Sequence, residues 1–154
     1  IEGMENFMDE HTDTGICGCK LIDGDGLVQD SCRRYPGIKE KFANLLHSGK
    51  YRYFYDEKTK SVPFEPEYLI GACQFIRKDA FDKVGPLDEH IFYGPEDADF
   101  CLRVKKAGWR IYYLPHYSIL HLCQRRTNRK IFSPLARKHL KGLLYFYKKH
   151  KRLN

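Results

Sequence analysis

The last third of the sequence contains no acidic residue. All 20 Asp and Glu lie in residues 1–99, together with 12 Lys or Arg, so that part carries a formal charge of −8. Residues 100–154 hold the other 15 Lys or Arg and carry +15. This asymmetry favours an anionic partner for the C-terminal part, such as nucleic acid, lipid headgroups or a phosphorylated substrate. A basic face that docks on the acidic part of the same chain explains it equally well.

Long apolar runs are also missing, and none approaches the ~20 residues of a membrane-spanning helix. The opening stretch IEGMENFMDEHTDTG is acidic, whereas a signal peptide needs a basic start and an apolar core. At 42% hydrophobic and 14% aromatic residues, the 154-residue chain is neither disordered nor of low complexity. We therefore expect one globular domain of a soluble intracellular protein.

The six cysteines lack the two close pairs that structural zinc usually requires. Only Cys17 and Cys19 are neighbours, in a Cys-x-Cys on an apolar stretch. Cys73, Cys101 and Cys123 lie among Ala, Phe, Leu and Ile, where a free cysteine acts as a small hydrophobe. We expect reduced cysteines in the core rather than disulfides or a zinc site.

A β-hairpin is predicted near the N-terminus. The apolar run GICGCKLI (15–22) is followed by DGDG and then by LVQDSCRRYP, which favours a turn around Gly24 and Gly26. Asp23-Gly24-Asp25 has the form of a metal-binding Asp-x-Asp. Asp-Gly is also common in tight turns, and we favour the turn over the metal.

The later elements alternate between strands and helices, as in α/β or α+β proteins. Residues 37–50 have a weak helical pattern, and 51–68 predict an irregular loop. We further predict a strand over LIGACQFI (69–76) and a short helix that Gly85 ends. A second helix, EDADFCLRVKKAG, is opened by Pro95 and closed by Gly108, and the strands WRIYYLP and SILHLC follow it. The last element is a basic amphipathic helix over 133–152, and its apolar side carries Ala136, Leu140, Leu143, Leu144 and Tyr147.

Acidic side chains cluster where the helix after Pro95 begins, at Glu96, Asp97 and Asp99. Unpaired N–H groups and the helix dipole stabilise a carboxylate there, which can serve as a general base, a metal ligand or a helix cap. Asp99 can also pair with Arg103 on the helix surface.

Two histidines follow in strand-like segments. His121 lies in the apolar run SILHLC, where a histidine is either a hydrogen-bonded core residue or a ligand. His116, after Pro115, is a similar candidate.

A longer pattern carries a family resemblance. Residues 71–121 contain GACQFIRKDAF, then VGPLDEHIF, then Glu-Asp-x-Asp-x-x-x-Arg, then Ala-Gly-Trp with a strand ending in Pro, and then His. This order resembles the C-terminal half of a family 2 glycosyltransferase of the GT-A fold, in particular the rhamnosyltransferase-like bacterial members that build cell-surface polysaccharides. The upstream section with Asp-Gly and Arg-x-x-Pro fits the same family, so the resemblance covers about residues 15–125.

The resemblance implies roles for several residues. In inverting members the Asp of the Glu-Asp pair is the general base, which corresponds to Asp97 with Glu96 beside it. A divalent metal, Mg or Mn, offsets charge on the departing nucleotide diphosphate, and the late His that often helps to bind it corresponds to His121. Further expected positions on the acceptor and donor sides are Asp88 and Glu89 near the acceptor, Trp109 against a sugar, and Gly71 and Ala72 near the donor sugar.

The family's nucleotide-binding half, which ends in Asp-x-Asp, would precede the matching region. The resemblance therefore implies an α/β fold, α+β in isolation, that forms the acceptor-side half of a GT-A enzyme with a mixed sheet and flanking helices. We divide the chain into a lead-in at 1–14, compatible in part with an expression-vector remnant, a partial transferase domain at 15–125, and a basic C-terminal helix at 126–154. The isolated chain is expected to be inactive.

The expected partners are a nucleotide-sugar donor and a glycan or lipid-linked acceptor. Residues 133–152 suit an anionic membrane surface, so we expect a cytoplasmic protein, peripheral on the inner face of the membrane. Unpaired strand edges favour a homodimer. The alternative is a non-catalytic binding or scaffold domain whose basic surface meets anionic membrane or, less favoured without a recognised motif, nucleic acid.

Overall fold

The computed structural model describes residues 1–35, 61–122 and 134–150, which form a mixed α/β arrangement. The helices there are α1 (Glu2–Glu10), α2 (Lys78–Val84), α3 (Glu96–Lys106) and α4 (Pro134–Lys149). The strands are β1 (Thr14–Ile22), β2 (Val28–Gln29), β3 (Cys32–Arg33), β4 (Tyr68–Leu69), β5 (Phe75–Ile76) and β6 (Arg110–Leu120). The expected mixed sheet with flanking helices is confirmed. Predictions for 37–50, for most of 51–68, and for Cys123 fall outside the described residues.

The main sheet is built around β1. One edge of β1 pairs in parallel with β6 along nearly its whole length. The other edge pairs antiparallel with two short strands, β5 near its start and β2 near its end. A separate two-stranded ladder joins β3 to β4 and sets Cys32 opposite Leu69. The parallel pairing brings the carboxyl ends of β1 and β6 to the same edge of the sheet.

The hairpin between β1 and β2 is confirmed, with Ile22 opposite Val28. The Asp23 carboxylate accepts hydrogen bonds from the backbone N–H groups of Asp25 (3.0 Å) and Leu27 (2.8 Å). Gly26 has φ +78°, a conformation that glycine adopts without strain. Asp23 therefore shapes the turn, as the sequence predicted.

The two strands expected over WRIYYLP and SILHLC form one strand, β6, so their separation was wrong. The register with β1 runs from Cys19 opposite Leu114 to Lys20 opposite Ser118, which leaves 115–117 as a bulge. Pro115 has no N–H to give to the ladder. Because β1 continues past this point, the ladder resumes after the bulge.

The prediction of one continuous strand over LIGACQFI was also wrong, because the strand is interrupted at its centre. β4 ends at Leu69 and β5 begins at Phe75, with a turn at 71–73 between them. β4 pairs with β3 whereas β5 pairs with β1, so this segment carries the chain from one ladder to the other. The break arises because β4 and β5 pair with different strands, and no local sequence pattern reveals those partners.

Residues 1–14, expected as a lead-in, contain α1 and the first residue of β1. Met4 and Met8 of α1 are 5% and 4% exposed and belong to a buried cluster with Cys17, Cys19 and Leu114. The cysteines at 17, 19, 32, 73 and 101 are free, and all of these except the half-buried Cys73 are buried. The expected core position is confirmed for Cys17, Cys19, Cys32 and Cys101.

Helix α4 buries only part of the apolar side that was expected. Tyr147 packs half-buried against the core, and the side chain of Ala136 falls outside the described residues. Leu143 is 7% exposed and Phe146 is fully buried, but Leu140 and Leu144 are 57% and 61% exposed. A Cβ on Gly142 would lie 3.3 Å from the Tyr93 carbonyl oxygen. The face of α4 that contains Gly142 therefore packs closely against the segment before α3. The assignment of Leu140 and Leu144 to the packed side was wrong because apolarity alone did not identify the docking face.

No helix within the described ranges is long and apolar enough to cross a membrane.

Candidate functional site

Asp97 lies in the first turn of α3, after Pro95 at the N-cap position. Its Oδ1 accepts a hydrogen bond from the Ala98 N–H at 2.8 Å. Its Oδ2 accepts one from the Gly71 N–H at 3.2 Å. The half-buried carboxylate is therefore turned towards the 71–73 turn, which fixes its orientation between two elements.

The environment of Asp97 makes it a weaker acid than usual. Burial, followed by the neighbouring charge of Glu96, raises the pKa of Asp97 from 3.8 to about 6. The N–H groups of Ala98 and Gly71 and the charge of Arg33 oppose this rise. A carboxylate with a pKa close to neutral suits a general base, because it is ionised at physiological pH and still basic enough to take a proton.

Glu96 provides a second acceptor beside Asp97. Its side chain is half-buried, and its Oε2 is buried with no hydrogen-bond partner within the described residues. Buried carboxylate oxygens are usually paired, so an unpaired one makes Glu96 a candidate functional residue beside Asp97.

Arg33 and Tyr68 were not predicted as site residues, yet both interact electrostatically with Asp97. They are paired across the β3–β4 ladder, and their side chains share a hydrogen bond. The Arg33 charge favours the ionised form of Asp97. Burial and then the charge of Asp97 raise the pKa of Tyr68 above its usual range. Arg33 belongs to the Arg-x-x-Pro segment that supported the family resemblance, and this was the available signal.

Asp99 serves a different purpose from Asp97, although the two are close in sequence. It is fully buried, whereas the sequence placed its pair with Arg103 on the helix surface. The pair exists, with Arg103 Nε 2.9 Å from Asp99 Oδ2, and Lys149 Nζ and His150 Nε2 lie 2.8 and 2.7 Å from Oδ1. Burial raises the pKa of Asp99, but the hydrogen bonds from Lys149, His150 and Arg103 outweigh it and hold that pKa below its usual value. Asp99 thus connects α3 to α4.

Asp88 also contacts α4. Its Oδ2 accepts hydrogen bonds from Lys149 Nζ (2.6 Å) and the Tyr145 hydroxyl (3.1 Å), and its Oδ1 accepts one from the His90 N–H. The Lys149 contact is the largest of the effects that hold the pKa of Asp88 well below its usual value. Glu89 next to it is exposed. Their acceptor-side roles stay predictions.

Trp109 is half-buried and packs against the hydrophobic core. A Cβ on Gly15 would be 2.7 Å from the Trp109 Cβ, and the Arg77 guanidinium carbon is 5.9 Å from the indole ring centroid. Its contact with a sugar stays a prediction, as does the placement of Gly71 and the half-buried Ala72 near a donor.

His121 follows β6 at the carboxyl-end edge of the sheet. Its N–H donates to the Ile22 carbonyl at 2.7 Å. Gln29 Nε2 donates a hydrogen bond to the His121 carbonyl at 2.7 Å, which fixes the orientation of the Gln29 amide. The other end of the amide, Oε1, lies 2.9 Å from His121 Nδ1. Because Oε1 can only accept, the proton of this hydrogen bond is on Nδ1. When the ring carries that single proton, Nε2 keeps its lone pair, as a metal ligand requires.

The structure brings Gly71, Glu96 and Asp97 together at the start of α3. His121 has other partners, so its membership of one site with Asp97 stays a prediction. No group of three His, Cys, Asp or Glu side chains that could hold a metal occurs within residues 1–35, 61–122 and 134–150.

Sequence relatives of this chain are bacterial rhamnosyltransferases. The N-acetylglucosaminyl-diphospho-decaprenol L-rhamnosyltransferase of Mycobacterium tuberculosis is 31% identical over 142 residues, which are 88% of this chain and 46% of that protein. The rhamnosyltransferase WbbL of Escherichia coli K12 is 34% identical over 76 residues, 49% of this chain and 28% of that protein. The dTDP-rhamnosyl transferase RfbF of Shigella flexneri is 24% identical over 143 residues, 89% and 44% of the two chains. The resemblance seen in the sequence is confirmed, and the chain spans less than half the length of these relatives.

Other comparisons add little. No family model matches the sequence. A crystal structure of GalNAc-T7 with UDP, GalNAc and Mn2+ superposes with a TM-score of 0.46 at 14% identity, over 90% of this chain and 29% of that one. A structural similarity this low does not bear on the site.

Proposed function

We propose that this chain, a homologue of bacterial rhamnosyltransferases, is the C-terminal half of an inverting GT-A glycosyltransferase that moves a sugar from a nucleotide-sugar donor to a polysaccharide or lipid-linked acceptor. The relatives' names describe rhamnosyl transfer, one from a dTDP-linked donor and one to a diphospho-decaprenol lipid. The observation that carries the proposal is the Asp97 carboxylate, held by two backbone N–H groups and titrating close to neutral.

In the proposed reaction, Asp97 takes the proton from an acceptor hydroxyl. The acceptor oxygen attacks the anomeric carbon of the donor sugar while the nucleotide diphosphate leaves from the opposite face, which inverts the configuration. The hydrogen bonds from Gly71 and Ala98 fix the carboxylate, so that no reorientation is needed as the proton moves. Glu96 raises the basicity of Asp97.

The remaining site residues take supporting roles in the proposal. Asp88 and Glu89 line the acceptor side, Trp109 packs against a sugar, and Gly71 with Ala72 faces the donor sugar. Asp88 acts mainly through the contacts that attach the 88–90 segment to α4.

The expected divalent metal, Mg or Mn, would neutralise charge on the leaving diphosphate. The described residues fit it only in part, because His121 offers one free imidazole nitrogen and no set of three ligands is assembled among them. We propose His121 as one ligand.

The test is Asp97→Asn in the full-length protein that contains this chain. Asparagine keeps the shape of the side chain but cannot take the proton, so kcat should fall by about 10²- to 10⁴-fold while nucleotide-sugar binding and folding are retained. In the wild type, kcat/KM should decline as the pH falls through about 6, where Asp97 becomes protonated. Asp79→Asn, on the exposed first turn of α2, is the matched control. Transfer at the wild-type rate by Asp97→Asn would overturn the assignment.

A second candidate function, membrane-surface binding by α4, is favoured by its exposed face. Leu140 and Leu144 are more than half exposed, on a helix with Lys141 and Lys148 also at the surface. Apolar side chains flanked by lysines suit the boundary of an anionic lipid surface. This role is compatible with transfer to a lipid-linked acceptor and supports a cytoplasmic protein peripheral on the inner face of the membrane.

Sedimentation with vesicles separates this role from a nucleic-acid-binding alternative. The protein should sediment with vesicles that contain anionic lipid and stay in solution with neutral ones. Equal binding to generic DNA, lost at higher salt, would favour the non-catalytic basic-surface alternative.

A further inference from the structure

Two cysteines that are 54 residues apart in sequence meet beside the candidate site. The Cys19 and Cys73 Sγ atoms lie 3.5 Å apart and share a hydrogen bond. Cys19 is 1% exposed in the middle of β1, whereas Cys73 is half-buried at the end of the 71–73 turn. Neither sulfur belongs to a disulfide.

The backbone, rather than a chance side-chain rotamer, brings these sulfurs together. Cys19 is fixed in the sheet opposite Leu114 of β6. A Cβ on Gly18 would lie only 2.6 Å from the Cys73 carbonyl oxygen, so the turn lies directly on β1 at this point. Since a disulfide needs an S–S distance of about 2.05 Å, the sulfurs must approach by about 1.5 Å, which rotation of the two side chains and a small movement of the turn can supply.

We propose that Cys19 and Cys73 form a reversible disulfide when the protein is exposed to a peroxide, and that this cross-link controls the 71–73 turn. The reaction consumes one peroxide. The Cys73 thiolate attacks a peroxide oxygen, which gives a sulfenic acid and, with a proton, one molecule of water. The Cys19 sulfur then displaces the hydroxyl group of the sulfenic acid as a second water. The two sulfurs supply both electrons that reduce the peroxide.

The environments of the two sulfurs assign the attacking group to Cys73. The hydrogen bond from Cys19 lowers the pKa of Cys73 below its usual value, against the opposing effect of burial. The same contact and then burial raise the pKa of Cys19 above its usual range. Cys73 is thus the more ionised and the more accessible sulfur, the combination found in thiols that oxidants reach first. Cys19 is the buried partner that resolves the sulfenic acid.

The turn that the cross-link would tie down also holds Asp97. Gly71, two residues before Cys73, donates the hydrogen bond to Asp97 Oδ2. A movement of Cys73 towards β1 changes the position of that N–H, so we expect oxidation to lower the activity. This consequence rests on the proposed function, whereas the cross-link itself does not.

The first experiment follows the cross-link alone. The chain is treated with hydrogen peroxide, digested without reduction, and the peptides are identified by mass spectrometry. We expect a peptide that joins Cys19 to Cys73, two hydrogen atoms lighter than its reduced parts and restored by dithiothreitol. Cys73→Ser and Cys19→Ala should abolish it, while Cys17→Ser, a buried neighbour on β1, should retain it. Over-oxidation of Cys73 without a cross-link, or a cross-link to another cysteine, would overturn the proposal.

The second experiment measures sugar transfer by the full-length protein before and after peroxide. Oxidation should inactivate the wild type and Cys17→Ser reversibly, and Cys19→Ala should resist this reversible loss. A cross-linked protein with unchanged activity would overturn the control of the turn. Absence of transfer in the reduced protein would count against the proposed function and leave the cross-link result standing.

Discussion

At the residue scale, protonation of Asp97 is coupled to folding as well as to the proposed catalysis. Its pKa is raised in the folded state, from 3.8 to about 6, so the folded protein binds the proton more tightly than the unfolded chain. The stabilising effect of protonation is fully present below pH 3.8 and is lost as the pH rises through about 6. Above that pH the folded state carries the cost of a half-buried charge.

This coupling predicts that Asp97→Asn changes the pH dependence of stability. Relative to the variant, the wild type should lose unfolding free energy between about pH 4 and about pH 7, because only the wild type must ionise the buried group. Urea denaturation at both pH values measures the difference. If the unfolding free energies of the two proteins changed in parallel with pH, burial would not raise the pKa of Asp97.

Two glycines near the 71–73 turn should respond differently to substitution. A Cβ on Gly18 would lie 2.6 Å from the Cys73 carbonyl oxygen, whereas a Cβ on Gly71 would meet only the Asp97 Cβ, at 3.9 Å. Gly18→Ala should therefore cost about 1–3 kcal/mol of unfolding free energy, since backbone must move, and Gly71→Ala should cost much less. The two denaturation midpoints give the comparison, and equal losses would contradict the packing of the turn on β1.

At the element scale, a buried carboxylate attaches α4 to α3. Asp99 accepts hydrogen bonds from Lys149 and His150 of the C-terminal segment and from Arg103 of its own helix. Burial lowers the pKa of His150 despite the opposing effect of Asp99, so its neutral form is favoured. Asp99→Asn should reduce the unfolding free energy by about 2–3 kcal/mol, because charge-assisted hydrogen bonds are lost in a dry site.

Asp79→Asn is the control for this prediction, since Asp79 is exposed on α2. Thermal and urea denaturation of the two variants should separate them clearly. If Asp99→Asn were as stable as Asp79→Asn, the contact between α3 and α4 would depend on apolar packing alone.

Substitutions of two adjacent leucines of α4 should separate an effect on stability from an effect on lipid binding. Leu143 is 7% exposed and Leu144 is 61% exposed. Leu143→Ala should cost about 2–5 kcal/mol because it leaves a cavity, while Leu144→Ala should stay within about 0.5 kcal/mol of the wild type. In vesicle sedimentation the order reverses, and Leu144→Ala should bind anionic lipid more weakly. Unchanged lipid binding by Leu144→Ala would remove the exposed face of α4 from the proposal.

At the scale of the whole molecule, the sheet has a strand edge that the described residues cover only in part. Within the described residues, the outer edge of β6 is paired at one bridge, between Tyr113 and Phe64. Open edges pair readily with other strands, from the same polypeptide or from a second copy. We predict that the 154-residue chain dimerises, and size-exclusion chromatography with light scattering checks it. A clean monomer at high concentration would contradict the dimer.

Elements with local signals were predictable from the sequence. The Asp-Gly turn after β1 and the helix between Pro95 and Gly108 are specified by residues that act on their immediate neighbours. The break between β4 and β5 was not predictable, because it depends on which distant strand each segment pairs with. The exposed position of Leu140 was missed for a similar reason, since the packed face of α4 depends on contacts with residues near α3.

The sequence by itself determined the hairpin turn after β1, the acidic start of α3 and, through the spaced motif from GAC to His121, the relationship to rhamnosyltransferases. The tertiary structure decided which acid does what: Asp97 turns to the Gly71 N–H and becomes a weak acid, and Asp99 turns inward to Lys149 and His150. It also decided that Cys19 and Cys73 meet. Sequence spacing cannot show these differences, because the strength of a carboxylate or a thiol is set by burial and by charges that only folding brings near.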